Sequence, residues 1–424
     1  MNYETAKSHM DEIQKKGSIL GLKPIKLLLE RLQNPQNKLA VIHVAGTNGK
    51  GSICAFLEQL YIGEGKKVGR YISPTLNCYL ERYQINGECM SREEFAYYFS
   101  KVYPHIEAMR ENGEDTPTAF EIETVIAFLF FLEKGVDIVI LETGMGGRED
   151  ATNVVENPLC TVFASIGMDH MQFLGDTVEK IAYEKAGIMR KDCPVICYPN
   201  PLNINHVLMK EYEKINAGLH NMKEFHVINK EDVRILEETL NGSRFMYKGE
   251  EYSISLAGRY QIYNAITAIE TKYVLDGHMN KDFLSKVSWA GRFEKISDKP
   301  LFIRDGAHNM DGVKALKESI EKHFTNREII FIIGVLKDKE YEKMMAFLCP
   351  MAKKVYTITA PGERGLPADI LAGCVKPYCD DVSVCDNVEE ATIKAGEFAM
   401  LHRENEEESV IIAWGSLSYI GQIH

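Results

Sequence analysis

Residues 43–52 read HVAGTNGKGS and follow an apolar run, Leu39-Ala40-Val41-Ile42. Gly46, Gly49 and Gly51 permit close approach of backbone to a ligand, Lys50 supplies a point cation, and Ser52 offers a hydroxyl for a metal. This is phosphate chemistry if the loop joins a strand end to a helix start, where unpaired N–H groups and the helix dipole favour anions. Only Thr47-Asn48 separates Gly46 from the Gly-Lys pair, so the loop is shorter than the usual Walker pattern.

Further polar residues follow apolar runs elsewhere. Glu142 stands in VDIVILETGMGGREDATN (136–153) ahead of a glycine turn, His170 in SIGMDHMQFLG (165–175), and Ser73 in RYISPT (70–75). Open α/β sheets present ligands beyond the carboxyl ends of their strands. Ser52, Ser73, Glu142 and His170 together suit a hard or borderline divalent ion held against phosphates. Taken singly, each has a plainer reading: Ser73 caps a turn, His170 is satisfied in a core, and Glu142 pairs with Arg148. No Ser-His-Asp arrangement for covalent catalysis is evident.

These residues need strands and helices to hold them. The segments 38–44, 136–142 and 159–167 are apolar enough for strands covered on both faces. Ile53, Phe56, Leu57 and Leu60 form a helical stripe directly after the glycine loop, and 119–135 predicts a buried helix ended by Gly135. Strand-helix alternation gives an α/β class with a mainly parallel sheet. The pattern restarts at 300–309, 328–339, 353–361 and 408–416, which predicts a second, smaller α/β sheet. The expected boundary is 1–293 and 294–424, with a hinge in WAGRFEKISDKP (289–300) and a solvated loop at Glu404 to Glu408.

A chain of 424 residues is long for one core, so two domains are natural. A net charge of −12 argues against general nucleic-acid binding while leaving room for a local anion site. The longest apolar run, Val125 to Leu132, is far short of a membrane span, and the first residues lack a signal-peptide core. The expected location is cytoplasmic, without a membrane partner. Ten cysteines without paired CxxC spacing read as small buried apolar residues.

In order along the chain, the motifs resemble the folylpolyglutamate synthase/dihydrofolate synthase family within the Mur-ligase-like, ATP-dependent amide ligases. The resemblance runs from LGLKPIKLLLERLQNPQNKLAVIHVAGTNGKGS through YISPTL, ERYQING, TAFEIET, LETGMGGREDATN and SIGMDHMQFLGDTVEKIAYEKAGI. It continues through LAGRYQIYNA, WAGRFE, RDGAHN, GVLKDKEY and GSLSYIG, essentially end to end. It implies a P-loop domain with the folate site over 1–293 and a glutamate-ligase domain over 294–424. Asn48, Gly49, Lys50, Gly51 and Ser52 would cradle ATP, with Asn264, Arg292, Asp305 and His308 as further nucleotide contacts. Ser52, Ser73, Glu142 and His170 would ligate magnesium, two ions being implied.

The family also carries a carbamate at the position of Lys185, in AYEKAGI, where it joins the metal ligands. Lys50, Glu142, His170 and Lys185 are thus the implied catalytic residues. Thr118, Phe120, Glu121, Asp150 and Ala151 fall where the family holds its pterin-bearing substrate, and Ser416 and Tyr419 are candidates for the incoming L-glutamate. The implied reaction joins glutamate to dihydropteroate and to reduced folates through an acyl phosphate, in a monomer. Two alternatives are a monofunctional folylpolyglutamate synthase and a non-catalytic P-loop ATP-binding protein. A cell-wall Mur ligase fits less well, because its loop ends GKTT. One departure stands out: Thr75 replaces the His of the family's SPHL, which leaves Ser73 untouched but removes an imidazole beside it.

Overall fold

Apolar side chains on both faces place the strand that precedes the glycine loop in the middle of a sheet. The computed structural model describes residues 1–15, 17, 21–218, 224–401 and 409–423; the acidic run 404–408 lies outside the described residues. The strands of the larger sheet are β1 (Val41–Ala45), β2 (Val68–Tyr71), β3 (Tyr83–Ile85), β4 (Glu88–Cys89), β5 (Ile138–Glu142), β6 (Cys160–Phe163), β7 (Val195–Cys197) and β8 (Phe225–Val227). They lie in the order β4-β3-β2-β5-β1-β6-β7-β8. All neighbours are parallel except β2–β3 and β3–β4. After β1 the chain moves past β5 to β2, and after β5 it moves the other way past β1 to β6. The carboxyl ends of β1 and β5 therefore meet at a topological switch point, where such sheets bind ligands.

Helices cover this sheet. Lys50–Ile62 follows the glycine loop and buries Ile53, Phe56, Leu57 and Leu60, as the stripe predicts. Ala119–Lys134 is apolar nearly all round and ends at Gly135, whose φ of 61° gives the left-handed cap. Val178–Ala186 packs over the other flank, with Ile181, Ala182 and Ala186 in a core shared with Phe163 and Val195.

The second sheet is built from β12 (Glu294–Asp298), β13 (Leu301–Arg304), β14 (Ile329–Ile333), β15 (Ala352–Thr357), β16 (Val382–Val384) and β17 (Val410–Trp414), after a separate three-stranded meander, β9 (Val233–Thr239), β10 (Gly242–Tyr247) and β11 (Glu250–Ile254). Its order is β12-β13-β17-β14-β15-β16, parallel except for the β12–β13 hairpin. The four strands expected from the sequence form its middle. The two edge strands and the meander were not expected, because they are short or strongly charged. The segment expected as a hinge contains β12 itself, whose alternation Glu-Lys-Ile-Ser-Asp suits an edge exposed to water.

Contacts divide the chain into one unit of 1–231 and 263–284 and another of 232–262 and 285–424. This differs from the expected boundary at 293/294. The meander carries its apolar residues, such as Phe245 and Tyr252, into the second unit, and the chain then returns to the first through the helix Arg259–Asp276. Among the described residues, no helix is long and apolar enough to cross a membrane.

Candidate active site

The loop after β1 starts the helix Lys50–Ile62 at Gly49, whose φ is 91°. A side chain there would be strained, and its Cβ would stand 2.5 Å from Asn264 Oδ1, so only glycine lets the helix Arg259–Asp276 close on the loop. Lys50 Nζ lies 3.6 Å from Glu142 Oε1 at the end of β5 and 3.4 Å from the Thr47 carbonyl oxygen. Glu142 therefore meets Lys50, not the Arg148 of the plainer sequence reading. Arg148 lies over the Tyr183 ring and reaches Glu211 at 3.4 Å. Two buried hydroxyls, Ser52 Oγ and Thr143 Oγ1, have no hydrogen-bond partner among the described residues. Unpaired hydroxyls at a phosphate loop and a strand end are unusual enough to call for a ligand.

The loop after β6 is tied to the same place. Thr47 and Asn48 donate their N–H groups to the Ser165 carbonyl at 2.7 and 3.1 Å, and Thr47 Oγ1 donates to the Gly167 carbonyl at 3.0 Å. His170 follows with φ 49°; its ring is exposed, with Nε2 4.0 Å from Asp169 Oδ2, rather than satisfied in a core. Lys185 is buried and donates from Nζ to the Gly46 carbonyl oxygen at 2.8 Å. Burial first, and the Lys50 charge second, push its pKa down to about 7, while Asp169 and Asp150 pull it up. Gly147 makes room for Lys185: a Cβ there would be 2.6 Å from the Lys185 carbonyl oxygen. Ser73 stands just beyond β2, the neighbour of β5, at the same edge of the sheet.

Sequence reasoning missed Asp169 and Thr143. Asp169 had a visible signal, a carboxylate beside His170, whereas the isolation of Thr143 becomes apparent only once its surroundings are known. Among the described residues, no group of three or more His, Cys, Asp or Glu side chains could hold a metal by itself. Magnesium is commonly held by one or two carboxylates together with waters and substrate phosphates. The Glu142 carboxylate and the orphaned Ser52 hydroxyl are donors of the right hard-oxygen type.

A second group gathers around the turn after β5. The Phe120 ring lies over Gly144 and 6.1 Å from the Tyr71 ring. Asp150 is buried, with Oδ2 accepting from Met145 N at 2.7 Å and Oδ1 accepting from Thr152 N at 3.0 Å, and Ala151 is buried beside it. Thr118 and Glu121 form a capping box: Glu121 Oε2 accepts from Thr118 N at 2.7 Å and its Oε1 from Ile25 N at 3.2 Å. Their polar atoms hold a helix start against the helix Lys23–Arg31.

In the second unit, Asp305 follows β13. It accepts from Phe293 N at 2.7 Å and Ala307 N at 2.8 Å. Burial raises its carboxyl pKa, and the Arg292 charge draws it down. His308 Nδ1 lies 2.7 Å from the Gly306 carbonyl oxygen, and a Cβ on Gly306 would strike the Arg292 guanidinium, so Arg292, Asp305 and His308 gather at one turn. Asn264, grouped with them from the sequence, instead faces the glycine loop of the first unit. Ser416 caps Leu417–Ile420, its Oγ 2.8 Å from Ser418 Oγ. Tyr419 is corrected: it is wholly buried, with its hydroxyl 2.9 and 2.6 Å from the Ile332 and Trp414 carbonyl oxygens, which leaves it structural.

Residues 44–271 match the Mur ligase middle domain and residues 291–416 the Mur ligase glutamate ligase domain. The chain is 38% identical over 368 residues to a dihydrofolate synthase/folylpolyglutamate synthase of Bacillus subtilis, covering 84% of each. The chain belongs to the dihydrofolate synthase/folylpolyglutamate synthase family. A Haemophilus influenzae protein of that name is 32% identical over 403 residues, covering 86% of this chain and 88% of its own. Mycobacterium tuberculosis folylpolyglutamate synthase in complex with ADP superposes with a TM-score of 0.89 at 25% identity, over 99% of this chain and 98% of that one. E. coli FolC in complex with DHPP and ADP gives 0.83 at 26% identity, over 100% and 97%. Like other members of this synthase family, the chain is an ATP-dependent glutamate ligase of Mur-ligase fold.

Proposed function

We propose that this ligase is bifunctional, joining L-glutamate to dihydropteroate and then extending reduced folates with further glutamates. A carboxylate oxygen of the acceptor attacks the γ-phosphorus of ATP, and the bond to ADP breaks. The glutamate amine then attacks the carbon of the acyl phosphate, phosphate leaves, and the amine loses a proton to solvent. A bare carboxylate is a poor acyl donor because its leaving group would be oxide; phosphorylation supplies a better one. The protein's part is positioning and charge neutralisation, which is why it needs no covalent nucleophile.

The observation that carries this reading is the Lys50–Glu142 pair, 3.6 Å apart where a helix N-terminus meets the end of a central strand. Lys50 offsets charge on the transferring phosphoryl group, with Asn48, Gly49, Gly51, Asn264, Arg292, Asp305 and His308 as nucleotide contacts. Ser52, Ser73, Glu142, His170 and Lys185 would hold magnesium, as two ions. When bound, magnesium neutralises phosphate charge. Lys185 serves as a carbamate: its neutral amine forms a bond to the carbon of carbon dioxide and releases a proton, turning a cation into an anion. The depressed pKa supports this, since only the neutral amine reacts.

Phe120, Asp150 and Ala151 receive the pterin end of the acceptor, with Thr118 and Glu121 shaping that wall, and Ser416 the incoming glutamate. The enzyme works as a monomer in the cytoplasm on small molecules, without nucleic-acid or membrane partners. The deciding experiment measures glutamate-dependent phosphate release from ATP with dihydropteroate and, separately, with tetrahydrofolate. Release with both acceptors is expected. Release with tetrahydrofolate alone would make the enzyme a monofunctional folylpolyglutamate synthase, and release with neither would overturn the ligase reading.

A further inference from the structure

His43 lies in the middle of β1 between Val41 and Ala45, both wholly buried, in a strand that is otherwise apolar. Its own side chain is also wholly buried. Burial pushes its pKa down to about 3, so the ring is neutral and can donate from only one nitrogen. Nε2 lies 2.8 Å from Thr152 Oγ1, whereas Nδ1 is buried without a partner among the described residues. A leucine or valine would fill this place without the cost of an unpaired nitrogen. The nitrogen that is used must therefore accomplish something.

The direction of the hydrogen bonds shows what that is. Thr152 Oγ1 lies 2.5 Å from Asp150 Oδ1, the oxygen that also accepts from Thr152 N at 3.0 Å; Oδ2 accepts from Met145 N at 2.7 Å. With both oxygens accepting backbone N–H groups, the carboxylate takes the hydroxyl proton of Thr152. The hydroxyl oxygen is then left to accept from His43 Nε2–H, which assigns the ring tautomer. An ordered relay thus runs from the strand core to Asp150: imidazole to hydroxyl to carboxylate. Neighbouring groups brace the same turn, since Arg190 donates to Asn153 Oδ1 at 2.7 Å and Asn153 Nδ2 donates to the Arg148 carbonyl at 2.9 Å.

We propose that His43 and Thr152 are positioning residues for the acceptor substrate, fixing the carboxylate of Asp150 in the orientation that reads the pterin end. This rests on the reading that the turn after β5 receives that end. His43 and Thr152 bond to each other and to Asp150, not to the Lys50–Glu142 pair, so the effect is confined to acceptor recognition.

The test is steady-state kinetics on the full chain with His43→Leu, Thr152→Val and Thr152→Ser, varying dihydropteroate, ATP and glutamate in turn. His43→Leu and Thr152→Val each raise the KM for dihydropteroate roughly tenfold, the worth of one well-placed hydrogen bond. The KM values for ATP and glutamate stay within about twofold, and Thr152→Ser, which keeps the hydroxyl, retains the wild-type KM. The double variant His43→Leu/Thr152→Val is no worse than either single one, since both break the same relay. An unchanged acceptor KM in both single variants overturns the proposal, as does a parallel rise in all three KM values with a lowered Tm. If His43→Leu fails to fold, the Val/Ser pair at Thr152 decides alone. Asp150→Asn separates the two layers of the argument. If it too leaves the acceptor KM unchanged, the substrate reading of the turn has failed; if it raises that KM while Thr152→Val does not, only the positioning proposal has failed.

Discussion

A lysine amine with a pKa near 7 is about half neutral at physiological pH, which is the form that can take up carbon dioxide. Lys185→Ala should therefore lose at least on the order of a hundredfold in turnover, and a short-chain carboxylic acid in the buffer should restore part of it. An unrescued variant, together with a native protein whose intact mass never shows an added carbon dioxide, would remove the carbamate. Glu142→Ala should abolish turnover, because it removes the carboxylate that faces Lys50 at the end of β5; near-normal rates would sink its assignment. His43 gives a stability prediction with a definite sign. Its folded pKa of about 3 lies below the ordinary 6.5, so between those values the unfolded chain binds the extra proton and stability falls with falling pH. Denaturant midpoints at pH 8 and pH 5 should show wild type losing about 2 kcal/mol through this residue, a loss absent from His43→Leu. Lys50, Glu142 and His170 were legible in the sequence because each follows an apolar run. His43 and Thr143 were not, because what distinguishes them is their surroundings, a hydroxyl from the distant Thr152 for one and the lack of any partner among the described residues for the other.

Local sequence fixes the ends of some elements well. The helix 119–134 could be read from its apolar content and Gly135, and its start from Thr118 and Glu121, whose spacing is that of a capping box. Thr118→Ala should lower stability by about 1 kcal/mol by chemical denaturation; no change would mean that the Ile25 contact to Glu121 suffices. Gly49→Ala should abolish nucleotide binding measured by calorimetry while leaving circular dichroism near native, since its strain and its clash with Asn264 are local to the loop. β12 and β16 escaped notice for a physical reason. Edge strands bury one side or less, tolerate charge, and so lack the apolar run by which β13, β14 and β17 declare themselves. The meander β9–β11 did carry turn signals, Asn241-Gly242 and Lys248-Gly249, but its half-exposed strands gave no continuous apolar stretch to join to them.

At the scale of the whole chain, two α/β sheets were evident in advance, but the position of the division was not. A boundary is legible when a unit is continuous in sequence, and the first unit here is not. Its second segment supplies Lys272, wholly buried, with Nζ 2.6 Å from both Glu64 and Asp276, and Asp276 accepts from Tyr61 at 3.0 Å. A fragment ending at residue 231 would leave Glu64 and Tyr61 without these partners and the glycine loop without Asn264. It should neither unfold cooperatively nor bind ADP, and a sharp thermal transition with ADP binding would contradict this.

The helix Arg259–Asp276 therefore sets a timetable. While the chain is being made, the nucleotide loop emerges early, yet it cannot be completed until the ribosome has delivered residues 263–284, by which time the meander has already left the exit tunnel. The nascent first unit must wait, its Tyr61 and Glu64 still without Asp276 and Lys272, for a late-arriving piece of itself.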